Sequence, residues 1–168
     1  MKPGQLIEHP EGGRFREVFR SPRRVRAACG TERSAITHIY FALGPGESSR
    51  FHRVASDEVW NLYEGAGVLL YLWDDMSAAL EERELSRESG RYCHVVPAGT
   101  WQAAVPLDGA VLVGCSVAPG FEFADFALLE AESDKGRRLA AIRPDLAGLL
   151  FALDAHERQT ADRGVQAD

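Results

Sequence analysis

The sequence predicts an all-β fold, a β-barrel or jelly roll with a short helical C-terminal appendage. Three observations predict it. Residues 34–126 fall into short runs rich in β-branched and aromatic residues. These runs are separated by Gly and Pro signals roughly every 8–12 residues, the spacing of sandwiches and barrels. No strand run alternates with a helical run there, which argues against a parallel α/β sheet. After Phe126 the pattern turns helical.

The first run, residues 34–43 (SAITHIYFAL), ends at Gly44-Pro45-Gly46, a turn that cannot continue a strand interior. Further runs cover residues 58–63, 68–73, 92–96, 101–105 and 110–117. Their breakers are Glu64-Gly65-Ala66-Gly67, Asp74-Asp75, Ser89-Gly90, Pro97-Ala98-Gly99 and Leu107-Asp108-Gly109. Beyond Phe126, Ser133 is placed to cap a helix reaching about Ile142, stopped by Pro144. From Asp145 the apolar residues Leu146, Leu149, Leu150 and Leu153 follow i, i+3, i+4, i+7 and predict a second, amphipathic helix. The expected division is a β-domain over 1–130, a helical appendage over 131–158 and a flexible tail over 159–168.

A length of 168 residues suits one domain, and 45% hydrophobic with 26% charged residues is a globular composition. No apolar run approaches the ~20 residues that span a bilayer, and the N-terminal MKPGQLIEHPEGGRF lacks the apolar stretch of a signal peptide. A soluble, cytoplasmic protein without a membrane partner is expected. A net charge of −6 argues against nucleic acid as a partner, because phosphate contacts need clustered cations. The one basic run, RSPRRVR over 20–26, reads as a solvated loop or a subunit contact. Cys29, Cys93 and Cys115 have no C-x-x-C spacing, so neither a zinc knuckle nor a redox pair is indicated. Cys93 and Cys115 read as small buried hydrophobes.

The chemistry concentrates in residues 46–65, GESSRFHRVASDEVWNLYEG. Side chains alternate faces along a strand, so a His and a carboxylate on neighbouring strands can enter one cavity. His52 and Glu58 are that pair. Val54 shares the face of His52, and Trp60 shares the face of Glu58, which makes Trp60 a candidate pocket wall as well as a core residue. A later strand after Pro97-Ala98-Gly99 brings Gln102 towards the same place. His9, His38, His94 and His156 show no comparable spacing.

Gly46, His52, Glu58 and Gly65 resemble the first cupin motif, with Val54 at its second His position. Pro97-x-Gly99-x-x-Gln102 resembles the second, with Gln for its His. The segments His9-Pro10-Glu11-Gly12-Gly13-x-Phe15-Arg16-Glu17, Ile39-Tyr40-Phe41, His52-Arg53, Ser56-Asp57-Glu58-x-Trp60, Pro97-x-Gly99-x-Trp101-Gln102 and Pro119-Gly120-Phe121-Glu122 occur in order. Together they resemble the largely uncharacterised fifth cupin subfamily over residues 6–130. The resemblance implies a cupin jelly roll, similar in fold to the sugar epimerase of the rhamnose pathway, and a homodimer that exchanges N-terminal strands.

A typical cupin holds a divalent metal with three His and one Glu. The corresponding set here, His52, Val54, Glu58 and Gln102, implies either no cofactor or one weakly held Fe, Mn, Ni or Zn ion on His52, Glu58 and Gln102, since amide oxygen is a weak ligand for zinc or copper. Without a metal the same residues suit proton transfer, because histidine titrates near neutrality. His52 is then the base, Glu58 its orienting partner, Gln102 a substrate hydrogen-bond donor and Tyr40 the acid. A His base opposite a Tyr acid is the arrangement of the sugar epimerases that share this fold. Strand parity leaves open whether Tyr40 or the apolar set Ile39, Phe41 and Leu43 faces inward. Arg16 and Arg20, in FREVFR, are candidate substrate anchors or members of an ion-pair cluster.

The expected function is binding of a small polar, sugar- or acid-like metabolite with proton-transfer catalysis of the epimerase, isomerase or lyase type. The alternatives are a metal-dependent oxygenase or decarboxylase and a non-catalytic metabolite-binding module.

Overall fold

The structure is a computed structural model and describes residues 5–28, 30–77 and 79–152. Within them the chain forms β1 (Ile7–Glu8), β2 (Arg14–Arg20), β3 (Arg24–Arg26), β4 (Glu32–Ser34), β5 (Thr37–Leu43), β6 (Ser49–Val54) and β7 (Asp57–Glu64). Then come β8 (Gly67–Trp73), β9 (Leu80–Ser86), β10 (Cys93–Val96), β11 (Trp101–Pro106), β12 (Val111–Ala118), β13 (Phe126–Leu128) and α1 (Asp134–Ile142). A six-stranded sheet in the order β1-β2-β5-β12-β7-β10 faces a five-stranded sheet in the order β13-β6-β11-β8-β9, with antiparallel pairing throughout. This is the expected all-β jelly roll with a small C-terminal helix.

The period-2 alternation of each strand builds two cores. Inside the barrel, Phe41, Leu43, Trp60, Val68, Leu70, Leu72, Val113 and Cys115 pack together. On the opposite face of the five-stranded sheet, Phe51, Trp73, Trp101 and Ala103 pack with Leu139 of α1 and with Leu146 and Leu150 beyond it. That sheet is covered on both sides, which is why β8 (GVLLYLW) reads as an almost unbroken apolar run. The helix begins where expected: Ser133 accepts a hydrogen bond from the Gly136 N–H at 3.0 Å.

Four expectations are corrected. The run over 34–43 is two elements: Ser34 pairs with Arg24 in a β3–β4 ribbon, and only Thr37–Leu43 joins the large sheet. The ribbon also takes up Arg24–Arg26 of the basic run over 20–26, with Arg24 hydrogen-bonding Ser34 Oγ and the Glu32 carbonyl. The second helix is instead a 3-10 turn over Pro144–Leu149, after which Leu150 is extended and Phe151 bridges to Glu130. Burial of Leu146 and Leu150 needs only that turn; Leu153 lies outside the described residues. Strand β9 (LEERELS) was not expected, because it carries three Glu, a residue depleted in strands. It is a sheet edge, where charges face water and guard against pairing with another chain. Cys93 is exposed, since it opposes Asn61 on the outer face of the edge strand β10, whereas Cys115 is buried as expected.

Candidate functional site

Between the sheets lies a cavity of about 100 Å³. Its polar residues Glu11, His52, Glu58 and Cys115 are surrounded by Phe15, Ile39, Phe41, Val54, Phe121, Phe123 and Phe126, with Glu17, Arg20 and Glu122 also on its lining.

His52 is fixed by its own strand. Its Nδ1 lies 2.9 Å from the Arg50 carbonyl, an acceptor only, so Nδ1 carries the hydrogen and donates it. The atom left to take or give a proton is therefore Nε2. Facing Nε2 at 3.4 Å is Oε2 of Glu11. The same oxygen lies 3.1 Å from Nδ1 of His9, and Oε1 accepts from Ser49 Oγ at 2.8 Å. One buried carboxylate thus joins two imidazoles and a hydroxyl. The carboxylate that faces Nε2 is Glu11, a residue the sequence reading did not single out.

The turn HPEGG delivers His9 and Glu11. Gly12 has φ +109°, and a Cβ there would stand 2.3 Å from the Ser48 carbonyl oxygen, so only glycine fits. Arg50 locks the turn onto β6: its N–H donates to the Glu11 carbonyl at 2.8 Å, and its guanidinium donates to the carbonyls of Glu11 and Pro10. The pair Gly12-Gly13 is itself a turn signal in the sequence. What hid the two residues is that they come from a loop, where no strand periodicity marks a side chain as inward.

Glu58 is held by Gln102, which pairs with His52 across β11 and β6. Gln102, wholly buried, donates from Nε2 to Glu58 Oε2 at 2.6 Å and accepts from Trp60 Nε1 at 2.8 Å. An indole nitrogen only donates, which fixes the amide: Oε1 faces Trp60 and Nε2 faces Glu58. Gln102 therefore spends both ends on neighbours and positions Glu58. Trp60 is the support behind it rather than a pocket wall.

The two carboxylates are driven apart electrostatically. Burial raises Glu58, with the nearby Glu11 charge adding to it, and this outweighs His52, Gln102 and the Cys115 thiol, which pull the other way. Burial would also raise Glu11, but the charge of His52 together with His9 and Ser49 overcomes it and holds that carboxyl below its ordinary range. Burial, with the charges of Glu58 and Glu11, pushes the Cys115 thiol well up, so it stays protonated and is no nucleophile.

Arg20 reaches the cavity because β2 bulges between Glu17 and Phe19, which turns Arg20 to the side of Thr37. There it binds Glu17 through Nε and Nη2 and Glu122 through Nη1. Arg16 and Tyr40 do not reach the cavity. They oppose each other on the outer face of the sheet, with the Arg16 guanidinium 5.6 Å from the Tyr40 ring centroid. Parity on β5 is settled by Ile39 and Phe41, which line the cavity and leave Tyr40 outside.

Of the metal set His52, Glu58 and Gln102, the amide of Gln102 is already engaged on both ends. The amide oxygen of Gln102 belongs to Trp60, and Val54 offers no donor. Among the described residues no three His, Cys, Asp or Glu side chains are grouped to hold an ion. No described helix is long and apolar enough to cross a membrane.

Comparison with known proteins agrees with this architecture. An uncharacterized protein of Saccharomyces cerevisiae, YML079W, is 31% identical over 147 residues, covering 77% of this chain and 73% of the yeast protein. Protein SO0799 from Shewanella oneidensis is similar in structure, with a TM-score of 0.73 and 31% identity over 88% of this chain and 92% of its own. A hypothetical protein from Leishmania major gives 0.72 and 29%, covering 89% and 94%. The family described as Cupin_5, cupin superfamily (DUF985), matches residues 1–129. The chain therefore belongs to the Cupin_5 family of the cupin superfamily.

Proposed function

We propose that this cupin binds a small metabolite in its barrel and catalyses proton transfer at a carbon next to a carbonyl, as an isomerase, epimerase or lyase would. The observation that carries the reading is the pair of buried carboxylates, Glu11 held low and Glu58 held high, on the cavity that His52 lines. Titratable groups pushed apart in this way leave, at one pH, Glu58 with a proton to give and Glu11 charged beside the imidazole.

In this reading Nε2 of His52 takes the proton from carbon, and Glu11 stabilises the imidazolium that forms. The electron pair of the broken C–H bond forms a carbon–carbon double bond, the π pair of the carbonyl moves to its oxygen, and that oxygen takes the proton of Glu58. Returning a proton to carbon completes an isomerisation. The aromatic wall excludes water and strengthens each charge interaction. Glu58 replaces Tyr40 as the acid, and Glu11 takes over as the partner of His52.

Solvent exchange tests this. Small carbonyl compounds incubated with the protein in D2O are followed by NMR for deuterium at the carbon next to the carbonyl. The wild type exchanges at least one, and His52→Asn loses on the order of 10²-fold or more of the rate. Equal exchange by both proteins, or a bound ligand recovered without deuterium, contradicts catalysis and leaves a metabolite-binding module.

A further inference from the structure

The size, lining and charge of the cavity also restrict what enters it. At about 100 Å³, and open towards the exposed ring of Phe123, the cavity takes a reacting part no larger than about benzene, which fills ~150 Å³ in an apolar protein cavity. Rings dominate its wall. Phe121 and Phe123 meet edge to face at 5.1 Å, Phe126 stacks on His52 at 5.6 Å, and Phe15 meets the His9 ring at 4.8 Å. Sugar hydroxyls turned towards these rings would lose water without a partner, since the charged groups of the lining are gathered at Glu11, His52 and Glu58 and at the Glu17–Arg20–Glu122 cluster.

Charge excludes a second class. Among the described residues Arg20 is the only arginine on the lining, and it is bound by two carboxylates, Glu17 and Glu122. That trio carries one excess negative charge, and ionised Glu11 lies within. An entering carboxylate or phosphate meets like charge instead of an anchor.

We propose that the reacting part of the substrate is a compact, uncharged carbonyl compound of about benzene size, its apolar body against the phenylalanines and its carbonyl oxygen towards Glu58. The proposal rests on the proton-transfer reading for the orientation of the carbonyl, and it replaces the sugar- or acid-like substrate expected from sequence.

Three probes separate the classes: cyclohexanone, glucose and pyruvate, each titrated into the intact chain while the backbone amide signals of His52 and Cys115 are followed by NMR. Cyclohexanone is expected to shift both saturably, glucose to leave them unmoved, and pyruvate to bind about tenfold or more weakly. Val54→Phe fills the cavity and should abolish the cyclohexanone response while keeping a folded spectrum. Should that variant not fold, Phe123→Ala removes a ring that is 56% exposed and should weaken cyclohexanone binding several-fold. Saturable shifts from glucose or pyruvate but not from cyclohexanone overturn the proposal, as does a cyclohexanone response that both variants leave intact. Deuterium at the ring carbon next to the carbonyl is read in the same samples. Bound cyclohexanone without exchange contradicts the reaction and leaves the ligand class standing. Exchange confined to pyruvate or glucose contradicts the class and leaves the reaction standing.

Discussion

Two histidines on the two faces of this barrel have similar partners and different chemistry. His38, on the outer face, has its Nδ1 2.8 Å from Ser116 Oγ and its Nε2 3.1 Å from the hydroxyl of Tyr63, which is 46% exposed. His52, inside, has Ser49 and the Arg50 carbonyl on Nδ1 and the Glu11 carboxylate at Nε2. Both are fixed by neighbours on a strand. Only the inner one of the two has a carboxylate within 3.4 Å and is itself buried, against the ring of Phe126. Burial lowers His38, favouring its neutral form, with no charge to oppose it. The contrast teaches that a held imidazole is not a site; an enclosed counter-charge makes it one.

The largest effect should come from breaking the inner pair. Glu11→Ala leaves His52 and Ser49 without their acceptor in a buried place, and removing one partner of a buried pair costs about 3–5 kcal/mol. Urea unfolding reads it. His38→Ala, made for comparison, should cost well under half as much.

Next is the support behind Glu58. Trp60→Phe keeps the ring that packs on Phe41 but removes the indole donor, leaving Gln102 Oε1 buried and unpaired. The expected loss is about 1–3 kcal/mol. Tyr63→Phe on the outer face should change stability by less than about 0.5 kcal/mol, as exposed substitutions do. Equal losses from the two variants would erase the distinction between the faces.

The pH dependence sharpens it. Glu11 has a lowered value in the folded chain, so its contribution is present above the ordinary carboxylate range and is lost as pH falls through the lowered value. Glu58 runs the other way: the folded state holds its proton more tightly, so stability declines as pH rises from the ordinary carboxylate range through the raised value. Melting temperature against pH should therefore lose its acid limb in Glu11→Gln and its decline towards neutrality in Glu58→Gln. The smallest effect expected is that of chelation: elemental analysis of untagged protein should find well below one equivalent of transition metal, and a chelator should leave the melting temperature unchanged.

Much of this was legible in the sequence. Punctuated β-branched and aromatic runs carried the barrel, and Ser133 with Pro144 bracketed the helix, because turn and cap chemistry is local. His52 and Glu58 could be paired by strand parity, and both do line the cavity. Parity alone could not orient Tyr40, since a strand offers two faces and only its neighbours decide which is inward. A bulge in β2 reset the parity that would have placed Arg20. Glu11 was out of reach for another reason: it arrives from a loop folded onto a distant strand, and that contact exists only once the barrel closes. Gln102 was visible, but its task depends on Trp60, whose indole makes the amide a brace rather than a ligand.

The most direct test is a 13C NMR titration of the glutamate side-chain carboxyls, with Glu11 and Glu58 assigned by Glu11→Gln and Glu58→Gln. The expected result is a split, with Glu11 titrating below the ordinary carboxylate range and Glu58 above it, and the Glu11 signal moving in His52→Asn. Both carboxyls titrating together within the ordinary range would contradict the account, because Glu58 would then hold no proton to give while Glu11 is charged beside His52.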